Sequence, residues 1–204
     1  MSISATTGYM SNEDIMTWMQ EHTDQLYTNM RDDMSGANHR ADAESALDAI
    51  KAELQNSSGK DASKVTGLIN DALKKYGDIP DVLSVLQPMA DKFNGEYTTA
   101  QTQATNAQTT IDQINQSGNT SWIKQLVVQS MQSKTVVAVN IDSTDATNWA
   151  TQIDNKVDAL GKQDQLDMIN IQELNSEVNQ AKQTASALMD AADKSAEDTI
   201  SHIS

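Results

Sequence analysis

The most constraining feature of this 204-residue chain is a run of apolar residues that alternate steps of four and three between positions 86 and 114. An unbroken heptad pattern of this kind places one apolar stripe along a single helix and requires a second stripe to cover it. The residues in between are mostly Thr, Gln, Asn and Asp, which suit a solvated surface. This stripe, the first seam, consists of Leu86, Ala90, Phe93, Tyr97, Ala100, Ala104, Ala107, Ile111 and Ile114.

A second seam near the C-terminus has the same periodicity. It consists of Ile171, Leu174, Val178, Ala181, Ala185, Leu188 and Ala192, and then shifts by one residue to Ala196, Ile200 and Ile203. We predict that the two seams pair antiparallel, with Ile114 near Ile171 and Phe93 facing Ala192. An alanine-rich seam buries little apolar area, at about 25 cal/mol per Å². We therefore expect neighbouring copies of the chain to cover the remaining apolar surface.

The rest of the chain predicts shorter elements around this hairpin. Apolar spacing indicates helices over 11–35, 42–55 and 61–76, with breaks at Ser35-Gly36 and Gly77. Pro88 is expected in the first turn of the first-seam helix. Between the seams, 122–131 and 145–160 favour short helices. The β-branched run 134–141 favours a strand, and hence a β-hairpin whose second strand the sequence does not identify.

The predicted fold is therefore mainly α. A long antiparallel coiled-coil hairpin carries a small N-terminal helical unit and a short mixed insert. The expected segments are a flexible export leader (1–10), the N-terminal helical unit (11–79), the first coiled-coil helix (80–118), the insert (119–164) and the C-terminal coiled-coil helix (165–204).

Composition excludes several classes of function. The net charge of −15 would repel nucleic acid and anionic membrane surfaces. There are no cysteines, so neither disulfides nor thiol chemistry is available. The three histidines are far apart, and no nucleophile elbow, phosphate loop or dinucleotide fingerprint is present. We expect no catalytic, metal-binding or cofactor-binding residues, and hence no enzyme.

Besides Met1, five of the ten methionines concentrate near the N-terminus, between positions 10 and 34. Methionine-rich surfaces adapt to partners, but methionine also fills cores that lack phenylalanine. The chain has a single Phe, so both interpretations of this cluster stay open. Its members are Met10, Met16, Met19, Met30 and Met34.

The C-terminal segment, LDMINIQELNSEVNQAKQTASALMDAADKSAEDTISHIS (166–204), resembles the last helix of type III secretion needle-tip proteins and EspA-like tip filament proteins. The resemblance rests on Ile171-Gln172-Glu173-Leu174, the small-residue heptads that follow, and the tail Thr199–Ser204. The polar start of the chain, which lacks a cleavable secretory signal, suits export by a type III machine. The chain departs from EspA at the N-terminus and in the β-branched insert.

This resemblance implies a secreted structural subunit of a bacterial surface appendage. Such a subunit caps or extends a needle by polymerising into a filament that links the needle to the translocation pore. The implied partners are further copies of the chain, the needle subunit, translocator pore proteins and a secretion chaperone. The residues expected to drive self-assembly are Ile171, Leu174, Val178, Leu188, Ile200 and Ile203. An alternative hypothesis is a soluble helical effector or chaperone-like binding module.

Overall fold

A computed structural model describes residues 12–57, 59, 61–117 and 122–203, without the side chains of 12, 122, 123, 192, 193 and 195–203. The predicted leader, 1–10, lies outside this range. The described part of the chain is helical throughout, apart from its connections. Its helices are α1 (Asn12–Asn56), α2 (Ser63–Tyr76), α3 (Pro80–Gln116), α4 (Trp122–Gln132) and α5 (Ser143–Ile203).

The prediction of a mainly α protein built on a long helical hairpin is confirmed, because α1 and α5 pack together extensively. Backbone contacts divide the chain into two units. The hairpin unit comprises 12–38 of α1 and 163–203 of α5. The bundle unit comprises 39–162, which include the remaining parts of α1 and α5 together with α2, α3 and α4. The five segments expected from the sequence do not coincide with this division.

Helix α1 is continuous where the sequence predicted a break at Ser35-Gly36. A glycine inside a helix costs only ~1 kcal/mol relative to alanine, and packing along the whole helix outweighs that cost. Leu26, Leu47 and Leu54 are separated by multiples of seven and are all buried, so one face of the helix stays apolar across the glycine.

Helix α5 also continues through Gly161, at which the sequence predicted an end. Gly161 lies beside the Glu44 side chain of α1, and a Cβ atom at Gly161 would make an ordinary van der Waals contact with it.

Gly77, in contrast, does end α2. Its φ is −69°, so a left-handed conformation is not the reason for glycine there. A Cβ atom at Gly77 would lie 2.4 Å from the Leu73 carbonyl oxygen, and this contact excludes a side chain.

Helix α3 begins at Pro80, six residues before the start of the first seam. Proline is favoured at the start of a helix because its missing N–H needs no partner there. Asp81 in the first turn adds a favourable charge at the helix N-terminus. Pro88 consequently lies inside the helix rather than in its first turn, which corrects the sequence expectation.

The β-branched run does not form the expected β-hairpin, and the described residues contain no strand. Residues 137–142 are extended and make an isolated antiparallel bridge, between Asn140 and Asp61. The Ala62 N–H donates to the Val139 carbonyl at 2.6 Å, and the Gly59 N–H donates to the Ile141 carbonyl at 2.8 Å. The α1–α2 connection therefore supplies the partner that the sequence left open.

The bundle unit holds the apolar core. Phe93 is its centre, and its ring meets the edge of Trp149 on α5 at 5.1 Å between centroids. Ion pairs fix the first part of α5 around this core, with Lys51 of α1 bound to Asp154 and Lys156 bound to Asp81 at 2.7 Å. The buried core residues are Ala43, Leu47, Ile50, Leu54, Ala62, Val65, Ile69, Ala72, Tyr76, Ile79, Val82, Val85, Leu86, Met89, Ala90, Phe93, Val139, Ile141, Ala146, Ile153 and Leu160.

Candidate self-assembly surface

The hairpin unit consists of two antiparallel helices with a narrow buried seam. Met19 and Leu26 supply its buried apolar residues on α1, and Val178 supplies the buried valine on α5. The Lys182 ammonium donates to the Tyr27 hydroxyl at 2.9 Å and also lies over the Tyr27 ring. This contact joins the two helices at the surface of the unit.

One member of this seam is polar. Asp167 is buried on the same face of α5 as Val178 and accepts a hydrogen bond from the Gln163 amide at 2.9 Å. Aspartate at a seam position lowers the apolar area that the pair of helices can bury. The hairpin unit is therefore held by few large apolar contacts of its own.

As far as its side chains are described, the second seam runs along α5 from Ile171 to Leu188, and α1 is the helix that packs with α5 in this unit. Val178 is 1% exposed, while Ile171 and Leu174 are half-buried, so these three side chains serve the intramolecular pairing. Leu188 is 41% exposed and is available to another molecule. The side chains of Ile200 and Ile203 lie outside the described residues. A role of these residues in self-assembly remains a prediction.

The first seam belongs to the bundle unit and packs on other partners than the second seam. Phe93, Ala104, Ala107 and Ile111 are buried there, and Tyr97 and Ala100 are partly buried against the same core. The N-terminal half of α3 packs on Trp149 of α5. Its C-terminal half packs with α4, and the extended segment runs beside it.

The predicted pairing has Phe93 facing Ala192 and Ile114 near Ile171. In the structure Phe93 and Ile114 belong to the bundle unit, whereas residues 171 and 192 belong to the hairpin unit. The physical reason is that heptad seams of similar size can exchange partners, because each presents the same spacing of knobs and holes. The partners differ from those predicted. Helix α4 packs on α3, which carries the first seam, and α1 packs on α5, which carries the second seam.

Large apolar side chains remain exposed along both helices of the hairpin unit. Such residues are normal when scattered singly, whereas a row of them on one helix face is typical of a contact surface. A row on one face of α1 is formed by Met16, Tyr27 and Met34, and a row on one face of α5 is formed by Leu166, Ile169 and Leu188. The other exposed residues, Trp18, Met168 and Met189, lie on other sides of these helices. The exposed set comprises Met16, Trp18, Tyr27, Met34, Leu166, Met168, Ile169, Leu188 and Met189.

Part of this exposed surface forms a shallow groove on α1 with a volume of about 470 Å³. Tyr27, Met30, Met34 and the stem of Arg31 line it. Tyr27, Met30 and Met34 are side chains of the kind that line helix-binding grooves, since methionine adapts to the shape of a partner. Met34 and Met16 are exposed whereas Met19 is buried, so the N-terminal methionines divide between the surface and the seam.

No group of three or more His, Asp or Glu side chains in the described residues could hold a metal ion. His39 contacts Asp78 at 3.1 Å, and this hydrogen bond lowers the pKa of the Asp78 carboxyl. The pair lies on the surface of the bundle unit, next to Tyr76. Among the described helices, none is long and apolar enough to cross a membrane.

Comparisons with protein-family models, with curated proteins and with solved structures returned no match to this chain.

Proposed function

We propose that this chain is a secreted structural subunit of a bacterial type III secretion needle. It caps or extends the needle by polymerising into a filament that leads to the translocation pore. The observation that supports this proposal best is the row of exposed apolar side chains on the two-helix hairpin unit. The C-terminal resemblance described above supplies the biological setting.

Self-assembly through this row follows from the balance between charge and apolar area. At a net charge of −15, copies of the chain repel one another, so their contact requires apolar surface that is removed from water. The exposed side chains on α1 and α5 provide it, at about 25 cal/mol per Å² of apolar area buried. Salt screens the repulsion, so assembly should strengthen as ionic strength rises.

A matched pair of leucines tests the proposal. Leu188, in the hairpin unit, is 41% exposed, and Leu83, in the bundle unit, is 42% exposed. The substitutions Leu188→Asp and Leu83→Asp place the same charge at equal exposure, so both variants should keep the helical content of the wild type. Electron microscopy and analytical ultracentrifugation should show polymers for the wild type and for Leu83→Asp, and monomers for Leu188→Asp.

Polymers of normal length from Leu188→Asp would reject this surface as the assembly site. A wild-type chain that stays monomeric at high concentration and binds one heterologous partner would favour the binding-module alternative. Export is tested separately, by following secretion of the full chain from strains with and without an active type III ATPase. Secretion that does not depend on the ATPase would reject the proposed secretion route.

A further inference from the structure

The extended segment of the bundle unit has one bonded edge and one open edge. Val139 and Ile141 use their carbonyls to accept the N–H groups of Ala62 and Gly59. Neighbouring residues of an extended chain direct their backbone groups to opposite edges. The N–H and C=O groups of Ala138 and Asn140 therefore face the other way, and within the described residues they have no hydrogen-bond partner. An open edge of this kind is a template for an added strand.

A groove runs between this open edge and α3. It consists of two adjoining hollows of about 470 and 710 Å³, which share Ala100, Gln103 and Ala138. Along α3 the groove extends from residue 91 to residue 110, about 28 Å at 1.5 Å per residue. Its floor is made of small residues. Gly95 has nothing within 4 Å of where a Cβ atom would lie, so another backbone can approach closely.

The groove has no net charge, although it belongs to an acidic chain. Four charged side chains line the two hollows, and their charges cancel: Asp91 and Glu96 are acidic, and Lys92 and Lys134 are basic. The site therefore carries no net charge within a chain of −15. We call this site the neutral groove. An acidic segment gains no electrostatic attraction there, whereas an uncharged segment loses no hydration of charges on entering it.

We propose that the neutral groove binds residues 2–8 of a second copy of this chain as an added β-strand. This segment, SISATTG, precedes α1 and has no charged side chain. Ile3, Thr6 and Thr7 favour an extended conformation, and its other residues are small enough for the floor at Gly95. Seven extended residues span about 23 Å, which fits within the groove. The choice of a second copy rests on the proposed function, in which copies of the chain assemble.

The absence of native cysteines makes disulfide crosslinking a direct test. One full-length variant carries Thr6→Cys and another carries Gln103→Cys, and the two are mixed under mild oxidation. Mixed dimers should exceed the number expected from random collision. A chain that carries both substitutions reports on the alternative occupant, its own N-terminal segment. Crosslinks confined to that double variant, or no crosslink above the background, would overturn the proposal.

Two open glycines supply the control for the groove itself. Gly95 and Gly67 both lie inside helices with nothing within 4 Å of a Cβ atom, but Gly95 lines the neutral groove and Gly67 lies on α2. Gly95→Phe, introduced with Gln103→Cys, should lower the yield of mixed dimers by about tenfold. Gly67→Phe should leave the yield unchanged. An equal yield from both variants would show that the strand does not occupy this groove.

These outcomes separate the inference from the proposed function. Filaments that Leu188→Asp abolishes, in a protein without mixed crosslinks, would overturn the added strand and keep the assembly surface. Mixed crosslinks, in a protein that still forms polymers after Leu188→Asp, would keep the added strand and overturn the assembly surface.

Discussion

The contact between Phe93 and Trp149 distinguishes the structure from the pairing predicted by the sequence. Phe93 is the chain's one phenylalanine and is 1% exposed. Its ring lies 5.1 Å from that of Trp149, with an angle of 68° between the planes. An edge-to-face pair of this geometry contributes about 0.5–1.5 kcal/mol beyond the apolar area that it buries. The sequence-based register has Phe93 facing Ala192 and predicts no such coupling.

A double-mutant cycle measures this coupling. Phe93→Leu keeps most of the apolar volume and should lower the free energy of unfolding by up to about 1.5 kcal/mol. Trp149→Leu should also destabilise the protein, and the double variant should lose less than the sum of the two. We expect the difference to be about 0.5–1.5 kcal/mol, measured by urea unfolding followed by circular dichroism. In a chain of this size, 1 kcal/mol shifts the melting temperature by about 2–4 °C.

An exposed neighbour on the same helix is the control for this cycle. Asn148 precedes Trp149 on α5 but lies at the surface, so Asn148→Ala should combine additively with Phe93→Leu, within about 0.3–0.5 kcal/mol. The reasoning is refuted if Phe93 and Trp149 are additive to the same precision. Equal coupling of Phe93 to Asn148 and to Trp149 would show that the cycle reports a general loosening of the bundle unit rather than ring contact.

Two further predictions concern α5. Because Gly161 lies inside a continuous helix with room for a Cβ atom, Gly161→Ala should stabilise the protein by about 0.5–1 kcal/mol in urea unfolding, and destabilisation would indicate that the helix ends there. Asp142 accepts the N–H groups of Thr144 at 2.8 Å and Asp145 at 3.3 Å, and these bonds hold the pKa of its carboxyl below the ordinary 3.8. The stability that the ionised cap contributes is complete above the unfolded-state pKa and is lost as pH falls through the lower folded-state pKa. Asp142→Asn keeps a capping oxygen without a titrating group, so wild-type thermal stability should decline relative to that variant as pH is lowered below about 4. A stability difference that does not change with pH would contradict the assignment.

Helix boundaries show where sequence patterns were sufficient. The C-terminal end of α2 follows from Gly77, because a close backbone contact acts locally. The first turn of α3 was expected at Pro88 and lies at Pro80, although the fixed φ of either proline suits that position. The breaks predicted at Gly36 and Gly161 were wrong, since a helical glycine costs about as much as one modest packing contact contributes. The heptad spacing on α5 continues through Asp164 and Asp167. It was overlooked because these two positions are polar rather than apolar.

The candidate surface was only partly accessible to sequence reasoning. Heptad spacing identified Val178 and Leu188 as members of one line, but did not distinguish the buried residue from the exposed one. That distinction depends on what lies opposite each position on α1. Tyr27, Trp18 and Leu166 were missed because they lie outside the heptad lines that the sequence analysis followed.

By itself, the sequence determined that this protein is helical and that its helices carry narrow apolar seams. Helical periodicity acts over a few residues, and so do the backbone effects of glycine and proline. The order of residues in the sequence is therefore enough to predict them. Tertiary structure decided which seams meet. Heptad seams are geometrically interchangeable, and the choice among them depends on the sum of many contacts. Phe93 of α3 packs on Trp149 near the start of α5, the α1–α2 connection holds the extended segment, and α1 packs along α5.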